Sequence, residues 1–246
     1  MKVIFSRKGF DSAAGGAASP IIEGRPVSIP IPANEKSSTT YDDIGLGQIV
    51  QKVTRNRLSG SSLCHFDPMF QDERCAFGQT GAAQSHLANN SIGIGDLFLF
   101  FGLFSNYDGS DQHHRIFGYL QIEKILLLGE VPRLEQQPTG FNHQHPHTIG
   151  TWHRNNTIYL GTGSKATYAS PKLRLSVQGE NASVWRIPSW LKSAGLTYHG
   201  HASRWSNDST LQVVRRGQEF ITDITGFSSA EKWLQEILRT IRGSAA

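Results

Sequence analysis

The residues best suited to chemistry lie in short polar clusters, each set beside an apolar stretch. Near the N-terminus, Ser6-Arg7-Lys8-Gly9-Phe10-Asp11-Ser12 is followed by Gly15-Gly16. Arg7 and Lys8 have the charge and reach for a phosphate, and Ser6 and Asp11 have oxygens for sugar hydroxyls. The glycines let the backbone take positive φ and approach a ligand closely. A solvated loop opening a domain is the plainer alternative. In Cys64-His65-Phe66-Asp67-Pro68, His65 and Asp67 share one face if the chain is extended. That pair fits a metal site or an acid–base dyad, though such a pair is more often a satisfied turn before a proline. Gln79, Gln84 and His86 stand among small residues, where amides and an imidazole suit either the edge of a base or simple helix packing. Further on, Thr197-Tyr198-His199-Gly200 precedes Arg204-Trp205, and Arg215-Arg216-Gly217-Gln218-Glu219-Phe220 follows a short apolar run. Charged and amide groups just after a strand belong to loops that often carry binding residues, or to a solvated turn.

A fifth cluster is histidine-rich: His143, His145 and His147, with His153 beyond. His-x-His spacing puts both rings on one side of a strand, as metal sites require. Pro146 opposes a regular inner strand, and neither a cysteine cluster nor HExxH accompanies it. The expectation here is a polar surface loop without a metal. P-loop, GxGxxG, GxSxG and zinc-finger spacings are absent.

The elements that must hold these clusters are set by hydrophobic periodicity. Leu97 to Phe101 is an unbroken apolar run, and Ile116 to Ile122 is a second, rich in aromatic and branched residues. Runs apolar on both alternating faces predict strands covered on both sides. The Ser105 to Arg115 linker is long for a hairpin, which predicts a mobile, accessible tip. Lys2 to Phe5, two segments flanking Glu23-Gly24, Ile125 to Leu128, Asn156 to Gly161, Lys172 to Val177 and Leu211 to Val214 also read as strands. Helical stretches are expected over Ile44 to Val53 and Ala82 to Ala88. The chain closes with an amphipathic helix, its stripe formed by Trp233, Leu234, Ile237, Leu238 and Ile241 and its start marked by the capping-box pair Ser228 and Glu231. Trp185 and Trp190 read first as core.

The totals fit one globular unit spanning 1–246. Of 246 residues, 38% are hydrophobic and 18% charged, so a substantial core can form. A net charge of +4 permits a polyanionic partner without requiring one. Two cysteines without CxxC spacing point to a reducing, cytoplasmic setting rather than a disulfide framework. No stretch has the length of a signal peptide's apolar region or a membrane span.

Taken in order, the opening Ser6 to Ser12 segment with Gly15-Gly16 and Ser19-Pro20-Ile21, His65-Phe66-Asp67-Pro68, Phe77-Gly78-Gln79 with Gln84 and His86-Leu87, and Gly95-Asp96 with its apolar run resemble one family. Phe117-Gly118-Tyr119-Leu120, His145-Pro146-His147, Leu196-Thr197-Tyr198-His199, Arg204-Trp205 and Arg216 to Phe220 extend the match over nearly the whole chain. It is the nucleotide modification associated domain 3 family. The resemblance implies a bacterial or phage protein tied to systems that modify DNA bases, and it draws His65 and Asp67 toward a site. Ala17-Ala18 departs from the family where a proline is expected before Ser-Pro. A shorter similarity joins Gly95-Asp96 and Phe117-Gly118 to PUA-like barrels of the EVE and ASCH kind, which hold flipped, modified bases.

The expected fold is therefore α+β, with a mixed or antiparallel sheet, a PUA-like barrel at its centre and flanking helices. The first functional expectation is recognition of a modified base or nucleotide, in DNA or free. Arg7, Lys8 and Arg216 would meet phosphate, while Gln79, Gln84 and Trp205 would read or stack the base. The alternative is an enzyme acting on such a base, with His199 and Glu219 as acid–base groups and Arg204 stabilising an anion. A third is a protein-interaction subunit of a modification system. The residues specify no cofactor.

Overall fold

The structure is a computed structural model describing residues 1–215 and 217–243. Arg216, expected to meet phosphate, lies outside the described residues. The chain runs through β1 (Lys2–Arg7), β2 (Ser19–Ile22), β3 (Arg25–Pro26), α1 (Gly47–Thr54), β4 (Met69–Gln71), β5 (Arg74–Gln79) and α2 (Gly81–Asn89). It continues with β6 (Leu97–Asn106), β7 (His113–Leu127), β8 (Thr157–Lys165), β9 (Val184–Arg186) and α3 (Ser189–Ala194). β10 (Trp205–Asn207), β11 (Thr210–Gln212), β12 (Glu219–Asp223) and α4 (Ser228–Arg242) complete it. The fold class is α+β with a mixed sheet, as expected.

Nine strands form the main sheet in the order β12-β1-β6-β7-β8-β5-β4, with β2 beside the far end of β6 and β3 beside β2. β1 and β2 run parallel to β6, whereas β12 is antiparallel to β1. β9, β10 and β11 make a small separate sheet. The apolar runs explain the centre. On one face Val3, Phe5, Leu97, Leu99 and Phe101 pack with Trp185, Trp190, Leu234 and Ile237. On the other, Ile4, Phe98 and Phe100 pack with Phe77, Leu120 and Tyr159. Each such side chain, fully buried, contributes about 1.5–3 kcal/mol relative to leaving it in water.

Several expectations change. Among the described residues β12 and β4 do not pair, so the sheet stays open and no closed PUA-like barrel forms. One face is covered by α3, α4 and the small sheet, while on the other the curled sheet packs largely against its own strands, with Leu87 of α2. The Ser105 to Arg115 linker shortens, because β6 extends to Asn106 and β7 begins at His113. The Lys172 to Val177 strand is replaced by a 3-10 turn at Pro171–Leu173, where Ser170 Oγ accepts the Lys172 N–H. Only isolated bridges follow, Arg115 to Arg174 and Ser176 to Trp185. At α4 the non-helical cap position falls to Phe227, and no side chain caps it. Ser228 has already entered the helix, so the capping box with Glu231 does not form. The buried stripe Leu234, Ile237 and Ile241 is as the spacing predicts. Cys64 and Cys75 are buried and unpaired. No helix among the described residues is long and apolar enough to cross a membrane.

Candidate functional site

Three strand ends meet at one rim of the sheet. β1 delivers Arg7 and Lys8, β5 delivers Gly78 and Gln79, and Gln218 leads into β12. Together with Ile31 to Lys36, His65, Asp67, His147 and Trp152 they enclose a pocket of about 810 Å³. A cavity of this size accommodates a nucleotide-sized ligand.

Beneath the pocket sits Glu219, 1% exposed. The register of β1 and β12 pairs it with Ser6, so the Ser6 hydroxyl donates to Glu219 Oε1 at 3.1 Å. Lys8 Nζ donates to the same oxygen at 2.9 Å, and Gln79 Nε2 at 2.7 Å. Gln79 Oε1 accepts the Thr80 N–H at 3.1 Å, which fixes the amide's orientation. The Lys8 ammonium also lies 4.5 Å from the centre of the Phe77 ring. Glu219 Oε2, Thr80 Oγ1 and Arg7 Nε are buried without a partner. Unsatisfied buried polar atoms are uncommon in folded proteins and mark functional ground when they cluster.

The second wall is built on Asp67, which is buried. The Gly78 N–H donates to both of its oxygens, at 3.1 and 3.2 Å. His65 Nε2 lies 3.6 Å from Oδ2, His147 Nε2 3.8 Å from Oδ2, and His145 Nε2 3.5 Å from Oδ1. Burial by itself would raise the Asp67 carboxyl, but hydrogen bonding from His145 and His65 and the charges of His145 and His147 outweigh it and hold the group well below the usual carboxylate range. Burial pushes the His147 imidazole down to about 3. His65, Asp67 and His147 each offer one ligand atom within 4.8 Å of the others, so the cluster could hold a metal. Trp152 stacks on His147 at 4.2 Å and 11°, and the Lys36 ammonium lies 4.4 Å from the centre of the indole.

Of the residues singled out in the sequence, Arg7, Lys8, Asp11, His65, Asp67, Gln79 and Gln218 all line this pocket. Ser6 and Glu219 underlie it through the hydrogen bonds just described. The Arg7 guanidinium is largely committed to the fold, with Nη1 donating to the Arg215 carbonyl at 2.9 Å and Nη2 to that of Val214 at 3.1 Å. The remaining candidates lie elsewhere. Gln84 accepts from the Tyr159 hydroxyl at 3.0 Å in the core. His86 meets Thr197 Oγ1 at 3.2 Å and packs on Tyr198 at 4.5 Å. His199 is tied at both nitrogens: Nδ1 donates to the Thr197 carbonyl at 2.8 Å, and Nε2 accepts the Val214 N–H at 3.2 Å. A ring held this way has no nitrogen left to move a proton. Arg204 meets the Gln212 carbonyl at 3.4 Å, and Trp205 donates to the His199 carbonyl at 2.7 Å.

Sequence reasoning missed His147, His145, Trp152, Lys36 and Gly78 as parts of one site. The surface-loop expectation for the histidine-rich segment is corrected, since His145 and His147 are both buried. Two signals were present. One is the His145-x-His147 spacing; the other is Gly78 beside Gln79, in a segment that the sequence did not mark as a strand and that forms β5. A Cβ at Gly78 would lie 2.3 Å from His147 Cδ2, so glycine is what lets the imidazole rest against β5. Gly78→Ala is therefore expected to displace His147 and to cost about 1–3 kcal/mol by overpacking. Urea unfolding measures the loss, and an unchanged midpoint would show that His147 moves aside freely.

A family model described as nucleotide modification associated domain 3 matches residues 2–223. No curated protein and no solved structure matches the chain.

Proposed function

Because the chain belongs to the nucleotide modification associated domain 3 family, we propose that the pocket takes up one modified base or nucleotide, free or extruded from a DNA strand. Association with nucleotide modification follows from the family; the ligand is our reading. The observation that carries it is the joining of cations and hydrogen-bonding groups in one pocket. Arg7, Lys8, Lys36 and Arg215 line it together with Gln79, Asp67 and Trp152. Phosphate oxygens suit the cations, and the amide and carboxylate groups suit a base edge. The Trp152 indole offers a surface for a base, with the flexible Lys36 side chain displaced. The protein would do this in the cytoplasm, alone or beside other proteins of a modification system.

A second reading, an enzyme acting on that base, is favoured by the buried carboxylates of Glu219 and Asp67 at the pocket. It keeps Glu219 from the expected acid–base pair and puts Asp67 and the imidazoles around it in place of His199, without Arg204 as anion stabiliser. One experiment separates the two. The full chain is titrated by equilibrium dialysis with nucleoside monophosphates and single-stranded oligonucleotides, unmodified and carrying modified pyrimidines. Recovered nucleosides are then weighed by mass spectrometry. The expected result is selective binding of the modified forms, weakened about tenfold or more in Trp152→Ala, as loss of one base–aromatic stack predicts. Unchanged nucleoside masses support recognition, and a mass shift supports the enzyme. Absence of binding to every ligand overturns both and favours a protein-interaction role.

A further inference from the structure

We propose that His65, Asp67 and His147 bind a divalent transition metal of the zinc and iron(II) class, with an open coordination position facing the pocket. The site stands on geometry and hydrogen bonding, independently of which nucleotide the pocket takes. His65 Nε2 and His147 Nε2 lie 3.6 and 3.8 Å from the same carboxylate oxygen, Asp67 Oδ2. All three ligand atoms are mutually within 4.8 Å. A tetrahedral ion with bonds of about 2.1 Å separates its ligands by about 3.4 Å, so each imidazole closes on Asp67 Oδ2 by a few tenths of an ångström, and the two imidazoles on one another by about 1.4 Å at most.

The proton positions favour a cation at the centre. Asn156 Nδ2 donates to the His147 carbonyl at 2.9 Å, which turns Asn156 Oδ1 toward His147 Nδ1, 2.6 Å away. An acceptor at that distance requires the proton on Nδ1, and in the neutral ring Nε2 then carries the lone pair. That nitrogen lies 3.8 Å from Asp67 Oδ2, so two acceptors stand close together. A bound cation turns this repulsion into coordination.

His145 supplies the support that such sites need. Its Nδ1 accepts the His147 N–H at 3.2 Å, so its proton is on Nε2, 3.5 Å from Asp67 Oδ1. Nε2 is buried and has no hydrogen-bond partner of good geometry. Aimed at Oδ1, it orients the carboxylate; Oδ2 shares only the bifurcated Gly78 N–H and keeps a lone pair for the metal. Outer hydrogen bonds of this kind set the tautomer and direction of metal ligands. Two imidazoles and one carboxylate favour zinc, iron, manganese, cobalt or nickel over magnesium and calcium. Three protein ligands beside a cavity leave room for water or substrate, the arrangement of reactive rather than closed structural sites.

The test uses the full chain, freed of metal with chelator and without nucleotide. Co²⁺ is titrated by visible absorption and Zn²⁺ by calorimetry. One-to-one binding is expected at micromolar or lower dissociation constants. His65→Ala, on the partly exposed side of the site, is expected to weaken it by more than about 100-fold, and Asp67→Asn likewise. Asn156→Leu, with all ligands intact, should weaken it about 10- to 100-fold. His201→Ala, exposed and outside the site, should leave it unchanged. Far-UV circular dichroism establishes that His65→Ala is folded. Failure of the wild type to bind either ion, or equal binding by His65→Ala, overturns the metal site and leaves the nucleotide reading untouched.

Discussion

Glu219→Ala is expected to lower the unfolding free energy by about 3–5 kcal/mol, the cost of leaving one member of a buried ion pair without its partner. Glu219 is 1% exposed and the Lys8 side chain only 11%, so water does little to compensate the loss. The Lys8 ammonium would keep its contact with the Phe77 ring, worth about 1–2 kcal/mol when desolvated. Ser6 and Gln79 would each lose an acceptor as well. Removal of both charges should do less harm than the separate losses imply, because no unpaired charge then stays buried. The double variant Lys8→Met with Glu219→Leu is therefore expected to fall short of the sum of its single variants by about 1 kcal/mol or more. Urea unfolding of the four proteins gives the cycle directly. A cost below about 1 kcal/mol for Glu219→Ala would mean that the pair is screened from the pocket side. The same substitution frees the Gln79 amide, so ligand binding should fall even under conditions where the fold persists.

Acid should destabilise the fold well above the carboxylate range. Burial is the main cause lowering the imidazole of His114 to about 3, with the Arg7 and His113 charges adding to it. His113 and His199 are also lowered, each chiefly by burial. A group whose folded value lies below its unfolded value binds fewer protons in the native state. The stability it contributes is whole above about pH 6.5 and is lost as pH falls from there toward about 3. At pH 5 the loss from His114 alone amounts to about 2 kcal/mol at most, since the ring keeps some solvent contact. The groups facing His114 are Trp185, whose Nε1 donates to His114 Nδ1 at 3.0 Å, and Ser176, whose hydroxyl accepts the His114 N–H. Phe101 completes the contact. His114→Gln, which retains an acceptor for Trp185 without titrating, should flatten the decline between pH 6.5 and 4.5. An identical slope in wild type and variant would assign the decline to other groups.

Much of the frame was readable from local pattern. The runs at Leu97 to Phe101 and Ile116 to Ile122 predict strands buried on both faces, and they occupy β6 and β7, near the middle of the sheet. The stripe Leu234, Ile237 and Ile241 predicts the face that α4 buries. In both, the information is carried by residues a few positions apart, which periodicity reports directly. Lys8, His65, Asp67 and Gln79 were legible as reactive types in polar clusters, and the pocket gathers all four.

The rest depended on contacts between distant segments. Glu219 reads as part of a charged turn, yet the register with β1 places it under the pocket beside Ser6. His199 has the composition of a catalytic group, and the main chain of Thr197 and Val214 takes both its nitrogens. His145 and His147 look like surface histidines because burial is decided by what packs over a residue. Here it is β5, where Gly78 lacks the Cβ that would exclude the ring. The sequence by itself determined the two central strands, the closing helix with its buried stripe and the kinds of side chain available, since each follows from neighbours along the chain. Only the tertiary structure decided which of those side chains share a pocket, which carry a free lone pair and which are spent on the backbone, because these depend on partners up to 213 residues apart.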